Sequence, residues 1–340
     1  MNRQLNRQSF ARAHSAMAAA AADEGAVQPA VPEPCNGSGP LPFVWSLDRS
    51  SDVGRALLAA SRRLREAGSD VPQLDSVVLM AHVLGVSKTW LYAHPSRQLT
   101  EGEIEHYEGL VRRRMCHEPV AYLVGYKSFF GLDITVDNQV LIPRPETELL
   151  VERVLACARE LVHEDRPPRI VDVGTGSGAI AVALAVSLPQ AIVYATDVSD
   201  SALAVAAQNV WRYGVGEQVQ LLPGNLLDPV PGPVDIVVAN LPYVASEDLP
   251  HLPEQVRDYE PVIALDGGPG GLSVIGEALR SVAEQPCVRE KLPPGSRIYL
   301  EIGAGQGQAL RGLVEQFLPE AQFSLLLDYA DLDRVAVITL

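Results

Sequence analysis

From residue 169 to the C-terminus, strand-like and helix-like runs take turns, and this alternation constrains the fold more than any other feature of the chain. Strands are predicted at 169–173, 191–196, 219–222, 234–239, 297–301, 323–327 and 334–339, with helices between most of them. A strand followed by a crossover helix returns parallel to the first, so the series builds a parallel sheet covered on both faces. The last two strands are joined by only six residues, 328–333. A parallel crossover needs about a dozen residues or more, so this pair is expected to be antiparallel. The fold class is therefore α/β, with a doubly wound seven-stranded sheet whose edge is reversed.

The chain before residue 169 reads differently. Residues 1–45 hold an alanine run at 18–22 and five prolines from Pro29 to Pro42 among glycine and serine. This is expected to be a disordered extension. Its first 22 residues carry Arg3, Arg7 and Arg12 and no acid, which also suits an organellar transit peptide. Residues 46–118 are expected to form a small helical domain. Val53, Leu57, Leu58 and Leu64 make one stripe, and Leu74, Val77, Val78, Ala81 and Leu84 a second. Thr100 and Glu103 form a capping-box pattern before a third stripe of Ile104, Tyr107, Val111 and Met115. The run Arg112–Arg114 reads as a solvated helix face, or else a partner patch. Residues 119–143 read as a β-hairpin linker, with strand-like segments at 126–130 and 132–136 around Gly131. Residues 144–340 form the sheet domain, which Pro143 and Pro145 introduce as an extended strap before a helix over 149–161.

Charge and cysteines narrow the function classes. The net charge is −15, of which −14 lies in residues 144–340. A protein that neutralises phosphates over a broad surface is normally basic, so direct nucleic-acid binding is not expected. The four cysteines form no C-x-x-C pair, which suits a reducing compartment and a cytoplasmic chain. No apolar run approaches the roughly 18 residues of a membrane span. The histidines show no metal-ligand spacing, so no metal is expected.

Two constellations carry chemistry. The strand at 169–173 runs into Gly174-Thr175-Gly176-Ser177-Gly178 and then into a helix over 179–187. Glycines at alternate positions let backbone approach a ligand, and the helix start offers free N–H groups. Asp197 ends the next strand, 19 residues past Gly178, where a carboxylate can accept both ribose hydroxyls of a nucleoside cofactor. The G-x-G-x-G spacing suits a cofactor without a pyrophosphate, such as S-adenosyl-L-methionine. With seven strands and a reversed edge, it points to a class I methyltransferase sheet rather than a dehydrogenase. A ligand-free strand–helix turn is the alternative.

The second constellation is Asn240-Leu241-Pro242-Tyr243, directly after the fourth strand. Ligands sit at the carboxyl ends of strands in such sheets. The Asn240 side-chain carbonyl and a proline-stiffened backbone carbonyl beside it can accept two N–H bonds from a planar NH2 group. The Tyr243 ring can stack on that group. Two acceptors aimed at one nitrogen favour charge developing on it. An ordinary strand-end turn is the alternative. Asn225 follows the third strand and is a candidate adenine contact. A further glycine-rich loop, Gly303-Ala304-Gly305-Gln306-Gly307, also follows a strand, with Asp328 beyond it. It feeds the antiparallel edge, away from the point where strand order reverses, and is expected not to be a nucleotide site.

These residues resemble the protein-(glutamine-N5) methyltransferases of peptide chain release factors. The resemblance runs from about residue 50 to the C-terminus. It rests on residues 113–125, 141–148, 171–178, 240–243, 259–272 and 300–303. Residues 143–148 and 264–268 are the stretches most specific to that family. The resemblance implies methyl transfer from S-adenosyl-L-methionine to the glutamine amide of a Gly-Gly-Gln loop. By it, Gly174–Gly178, Asp197, Asn225 and Asn240 serve the cofactor. Asn240, Leu241, Pro242 and Tyr243 hold the glutamine, with Asn240, Pro242 and Tyr243 catalytic. The helical domain would contact the release factor, and a monomer is expected. Glu146 and Glu148 would lie near the pocket, or belong to a rigid strap. Two residues depart from the pattern: the family usually has proline at Leu241, and an acid then an aromatic at Asn225-Leu226. Asn-Leu-Pro-Tyr is also the motif of ribosomal RNA adenine dimethyltransferases, which leaves an N6-adenine RNA or DNA methyltransferase as the alternative. That family lacks the 143–148 pattern, and a net −14 domain suits RNA poorly. An acidic catalytic region implies that a protein partner presents a basic face to it.

Overall fold

The computed structural model describes residues 45–49, 51–161 and 166–340, so the expected extension and transit peptide over 1–45 fall almost wholly outside the described residues. Helices α1 (Val53–Glu66), α2 (Pro72–Leu84), α3 (Lys88–Ala93), α4 (Glu101–Met115) and α5 (Val120–Val124) come first. A two-stranded hairpin follows, β1 (Tyr126–Phe129) and β2 (Leu132–Thr135). Then come α6 (Thr147–Leu161), β3 (Arg169–Val173), α7 (Ala179–Ser187), β4 (Ile192–Asp197), α8 (Asp200–Arg212) and β5 (Val219–Pro223). The chain closes with β6 (Ile236–Ala239), α9 (Glu254–Arg257), α10 (Ser273–Glu284), α11 (Pro286–Arg289), β7 (Arg297–Glu301), α12 (Gly307–Phe317), β8 (Gln322–Leu327) and β9 (Asp333–Thr339). Among the described residues no helix is long and apolar enough to cross a membrane.

The seven-stranded sheet has the order β5-β4-β3-β6-β7-β9-β8. Strands β3 to β7 pair in parallel, and β9 runs antiparallel to both β7 and β8. The reversed edge is therefore where the short 328–333 connection required it. The chain winds outward from β3 through β4 to β5, then returns to the other side of β3 to lay down β6. Order reverses between β3 and β6, and their carboxyl ends open a crevice. Both strands are buried on both faces, as a sheet between two helical layers demands. One core packs α6, α7 and α8 together with Phe129, Ile134 and Val136 of the hairpin region against one face. The other packs α10 and α12 against the opposite face.

The helical region departs from its expected stripes. Leu58 is 66% exposed and Leu74 51% exposed, so neither belongs to the core. The inward face of α1 is Val53, Ala56, Ala60 and Leu64, in which small alanines let α2 approach closely. Nor is 112–114 a solvated run. Arg114 is buried, and its Nε donates to Asp75 Oδ2 at 2.8 Å from α2. Ser69 Oγ donates to the same oxygen at 2.8 Å. Arg113 Nε donates to Glu118 Oε2 at 2.7 Å, and Arg112 and Arg113 both stay partly in solvent. The helical region meets the sheet domain where the Tyr259 hydroxyl donates to the Cys116 carbonyl at 2.5 Å.

A buried ion pair broken on one side leaves an uncompensated charge, at a cost of about 3–5 kcal/mol. Asp75→Ala should lower stability on that scale in denaturant unfolding, whereas Arg49→Ala, at an exposed pair with Glu101, should cost under about 1 kcal/mol. Equal costs for the two variants would contradict the placement of Arg114.

Candidate active site

The crevice at the β3–β6 junction holds a cavity of about 590 Å³. Gly174, Thr175, Gly176 and Ser177 line it from β3, Asp197 from β4, Gly224 and Asn225 from the loop after β5, and Asn240, Leu241 and Pro242 from β6. The strap contributes Pro143 and Thr147. Two of the predicted residues lie elsewhere. Gly178 does not line the cavity: a Cβ there would lie 3.1 Å from the Ala206 Cβ, so this glycine lets α7 pack against α8. Tyr243 also lies outside the lining, held from beneath by residues of the β7 loop.

The glycine-rich turn is pinned at each step. Gly174 and Thr175 both donate N–H to the Thr196 carbonyl at 2.9 Å, which draws the turn toward β4. Gly174 and Gly176 have positive φ, 70° and 54°, a region that costs most side chains energy. Gly176 N donates to Asp197 Oδ2 at 2.8 Å and Ser199 N donates to Oδ1 at 2.9 Å. Each of these oxygens keeps a further lone pair for a ligand. Asn225 donates to Glu277 Oε1 at 3.0 Å on the cavity wall.

Asp172 is one of two buried residues that sequence reasoning missed. It is fully buried in β3, below the turn. Its Oδ2 accepts from Thr175 Oγ1 at 2.6 Å and from Ala181 N at 3.1 Å, while Oδ1 has no hydrogen-bond partner. One carboxylate thereby ties the turn to the first turn of α7. Burial pushes its pKa up to about 7, against the pull of those two donors. The signal was present: a carboxylate between Val171 and Val173 in a strand buried on both faces. Asn209 was missed as well. Fully buried on α8, it donates to Ser177 O at 2.8 Å and Thr135 O at 3.0 Å and accepts from Thr135 N at 2.8 Å, joining the hairpin to the turn.

Asn240 lies across the crevice. Its Nδ2 donates to Thr147 Oγ1 at 3.2 Å, which leaves Oδ1 as the acceptor for a ligand. The strap so delivers Thr147, rather than Glu146 or Glu148, to the site. Glu148 instead accepts from Phe130 N at 2.9 Å and secures the hairpin turn, while Glu146 is exposed. Glu260 holds the strap, accepting from Ile142 N at 3.1 Å and from Arg144 at 2.5 Å. Leu241 is buried, its Cδ2 3.2 Å from where a Gly174 Cβ would stand, so the side chain at the usual proline position packs under the glycine turn. Residues 265–271 close over the tetrapeptide's backbone. A Cβ on Gly267 would lie 2.7 Å from the Pro242 carbonyl, and one on Gly271 2.2 Å from the Tyr243 carbonyl. The second glycine-rich loop lies behind Tyr243, outside the cavity lining. The cavity lies within the ~300–1,000 Å³ usual for small-molecule sites. Exposed main chain, a carboxylate and apolar walls fit a nucleoside cofactor without phosphates.

Comparison with known proteins bears on this geometry. The family described as PrmC N-terminal domain matches residues 55–125, and that described as ribosomal protein L11 methyltransferase (PrmA) matches residues 152–258. The chain is 40% identical over 281 residues to the release factor glutamine methyltransferase of Moorella thermoacetica, covering 82% of this chain and 95% of that one. The protein of the same name from Bradyrhizobium diazoefficiens is 37% identical over 266 residues, with 78% and 86% covered. That of Rhodopirellula baltica is 35% identical over 292 residues, with 85% and 97% covered.

A carboxyl whose pKa is higher folded than unfolded contributes stability that is present below the unfolded value and is lost as pH rises through the folded one. For Asp172 the loss should run from about pH 4, the ordinary carboxylate value, to about 7. In thermal melts between pH 5 and 8, Asp172→Asn should flatten the decline in Tm seen with the natural residue. Parallel declines would show that Asp172 is ionised throughout.

Proposed function

The chain belongs to the release factor glutamine methyltransferases, and from that premise we propose how its residues carry the reaction. A methyl group passes from S-adenosyl-L-methionine to the side-chain amide nitrogen of the glutamine in the Gly-Gly-Gln loop of a peptide chain release factor. The carrying observation is the placement of Asn240, at the end of β6, in one cavity with the Gly174–Ser177 turn at the end of β3.

Bound there, S-adenosyl-L-methionine would supply an electrophilic methyl on a sulfonium. The Gly174–Ser177 main chain would face it, Asp197 would accept its ribose hydroxyls through the remaining lone pairs, and Asn225 would border its adenine. The glutamine amide would enter from the open mouth. Its two N–H groups would donate to Asn240 Oδ1 and to the Leu241 carbonyl, which the following Pro242 restrains. An amide nitrogen is a weak nucleophile because its lone pair is delocalised. Two fixed acceptors favour the positive charge that develops on it during attack, and they need no reorganisation to do so. Tyr243 stands behind the motif and secures it.

An adenine N6 amine has the same planar NH2 chemistry and is the reading this account displaces. The strap at 143–148 and the acidic sheet domain both favour a protein substrate. The same reading makes the chain a cytoplasmic monomer that docks its helical region on the release factor, without nucleic acid or membrane.

Mass spectrometry tests the proposal. A bacterial-type release factor incubated with the protein and isotopically labelled S-adenosyl-L-methionine should gain one methyl on the Gly-Gly-Gln glutamine. Label appearing in ribosomal RNA instead, with the release factor unmodified, would overturn it.

A further inference from the structure

The second glycine-rich loop, Glu301 to Gly307, has the look of a nucleotide site and none of the position of one. Its side chains converge on the acceptor tetrapeptide. Glu301, the last residue of β7, is 1% exposed. Its Oε1 accepts from the Tyr243 hydroxyl at 3.3 Å, and the Thr147 hydroxyl lies beside the same carboxylate. Thr147 is the residue that accepts from Asn240 Nδ2. One buried carboxylate therefore bonds Tyr243 through Oε1 and lies near Thr147, which bonds Asn240, while its Oε2 has no hydrogen-bond partner.

Gln306 completes the support. Its Oε1 accepts from Gly303 N at 2.8 Å and its Nε2 donates to the Tyr243 carbonyl at 2.9 Å. Three backbone segments meet there without room for more. A Cβ on Gly271 would lie 2.6 Å from Gln306 Nε2, and one on Gly303 3.0 Å from Gln306 Oε1. Burial pushes the Tyr243 phenol up to about 12, with the Glu301 charge adding to it, so the phenol stays a donor at working pH.

The geometry points to Glu301 and Gln306 as positioning residues that aim the Asn240 and Leu241 oxygens at the acceptor amide. Neither lines the cavity, so each acts only through Tyr243 and Thr147. The inference rests on the proposed acceptor role of the tetrapeptide, and its test has an arm that does not depend on that role.

Two near-isosteric variants provide the test. Gln306→Glu keeps an acceptor for Gly303 N but loses the donor to the Tyr243 carbonyl. Glu301→Gln keeps an acceptor for the phenol and removes the charge. In nitrogen–proton NMR spectra of the full chain, either variant should move the Asn240 side-chain NH2 signals and leave the Gly176 amide signal in place. Turnover on the release factor should then fall about tenfold to 10²-fold, the scale of a small misplacement of reacting groups, with cofactor Kd from calorimetry within about twofold. Unmoved Asn240 signals would overturn the inference, whatever the protein methylates. So would unchanged turnover, or turnover and cofactor affinity falling together as in general loosening. Absence of transfer by the unsubstituted protein would sink the proposed function alone, since the NMR arm would still decide the role of Gln306 and Glu301.

Discussion

The pairing of β3 with β6 is the constraint on which the rest depends. A doubly wound sheet must reverse its direction of growth somewhere, and no connection covers the carboxyl ends of the two strands where it does so. Here each of those strands ends in a turn with special chemistry. Register aligns Val173 with Ala239, so Gly174 and Asn240 follow on neighbouring strands at the same height. A glycine turn that can lie against a cofactor and an amide that can hold an acceptor are side by side because two strands pair in parallel.

Around that junction the chain uses close backbone approach. Gly174, Gly267 and Gly271 each stand where a Cβ would meet Leu241, Pro242 or Tyr243. Polar side chains then fix what the glycines leave loose. Asp172 and Asn209 hold the first turn from below, Thr147 holds Asn240, and Glu301 and Gln306 hold Tyr243. Several of these are buried carboxylates or amides, costly unless bonded. Asp172 Oδ1 and Glu301 Oε2 have no hydrogen-bond partner, so part of that cost stands, and the bonds that do form make the turns rigid, which suits a site that must aim two oxygens at one nitrogen.

Much of this was legible in the sequence. Strand positions followed from apolar runs, the reversed edge from a connection too short to cross over, and the start of α4 from Thr100 and Glu103. Their reciprocal bonds form as the capping box requires, at 2.8 and 3.3 Å. What could not be read depended on distance in the chain. Leu58 and Leu74 fit helical periods, but the neighbouring helices cover other faces. Arg114 looked like one of three surface arginines until Asp75, 39 residues earlier, was placed against it. Helices α3 and α5, of six and five residues, are too short to show a period. The second glycine-rich loop matched a local pattern whose meaning lay in Tyr243, 63 residues upstream of Gln306. Most of the site residues that local spacing identified line the cavity, though Gly178 and Tyr243 lie outside it. The groups behind them are assembled only by the fold.

The central claim is that Asn240 acts mainly on the acceptor rather than on the cofactor. The most direct measurement is the rate of methyl transfer to a release factor by Asn240→Ala at saturating S-adenosyl-L-methionine, with cofactor affinity taken by calorimetry on the same sample. The account predicts a rate lower by about 10²–10³-fold, the usual loss for a fixed polar group aimed at developing charge, with cofactor affinity nearly unchanged. Transfer at the full rate would contradict it.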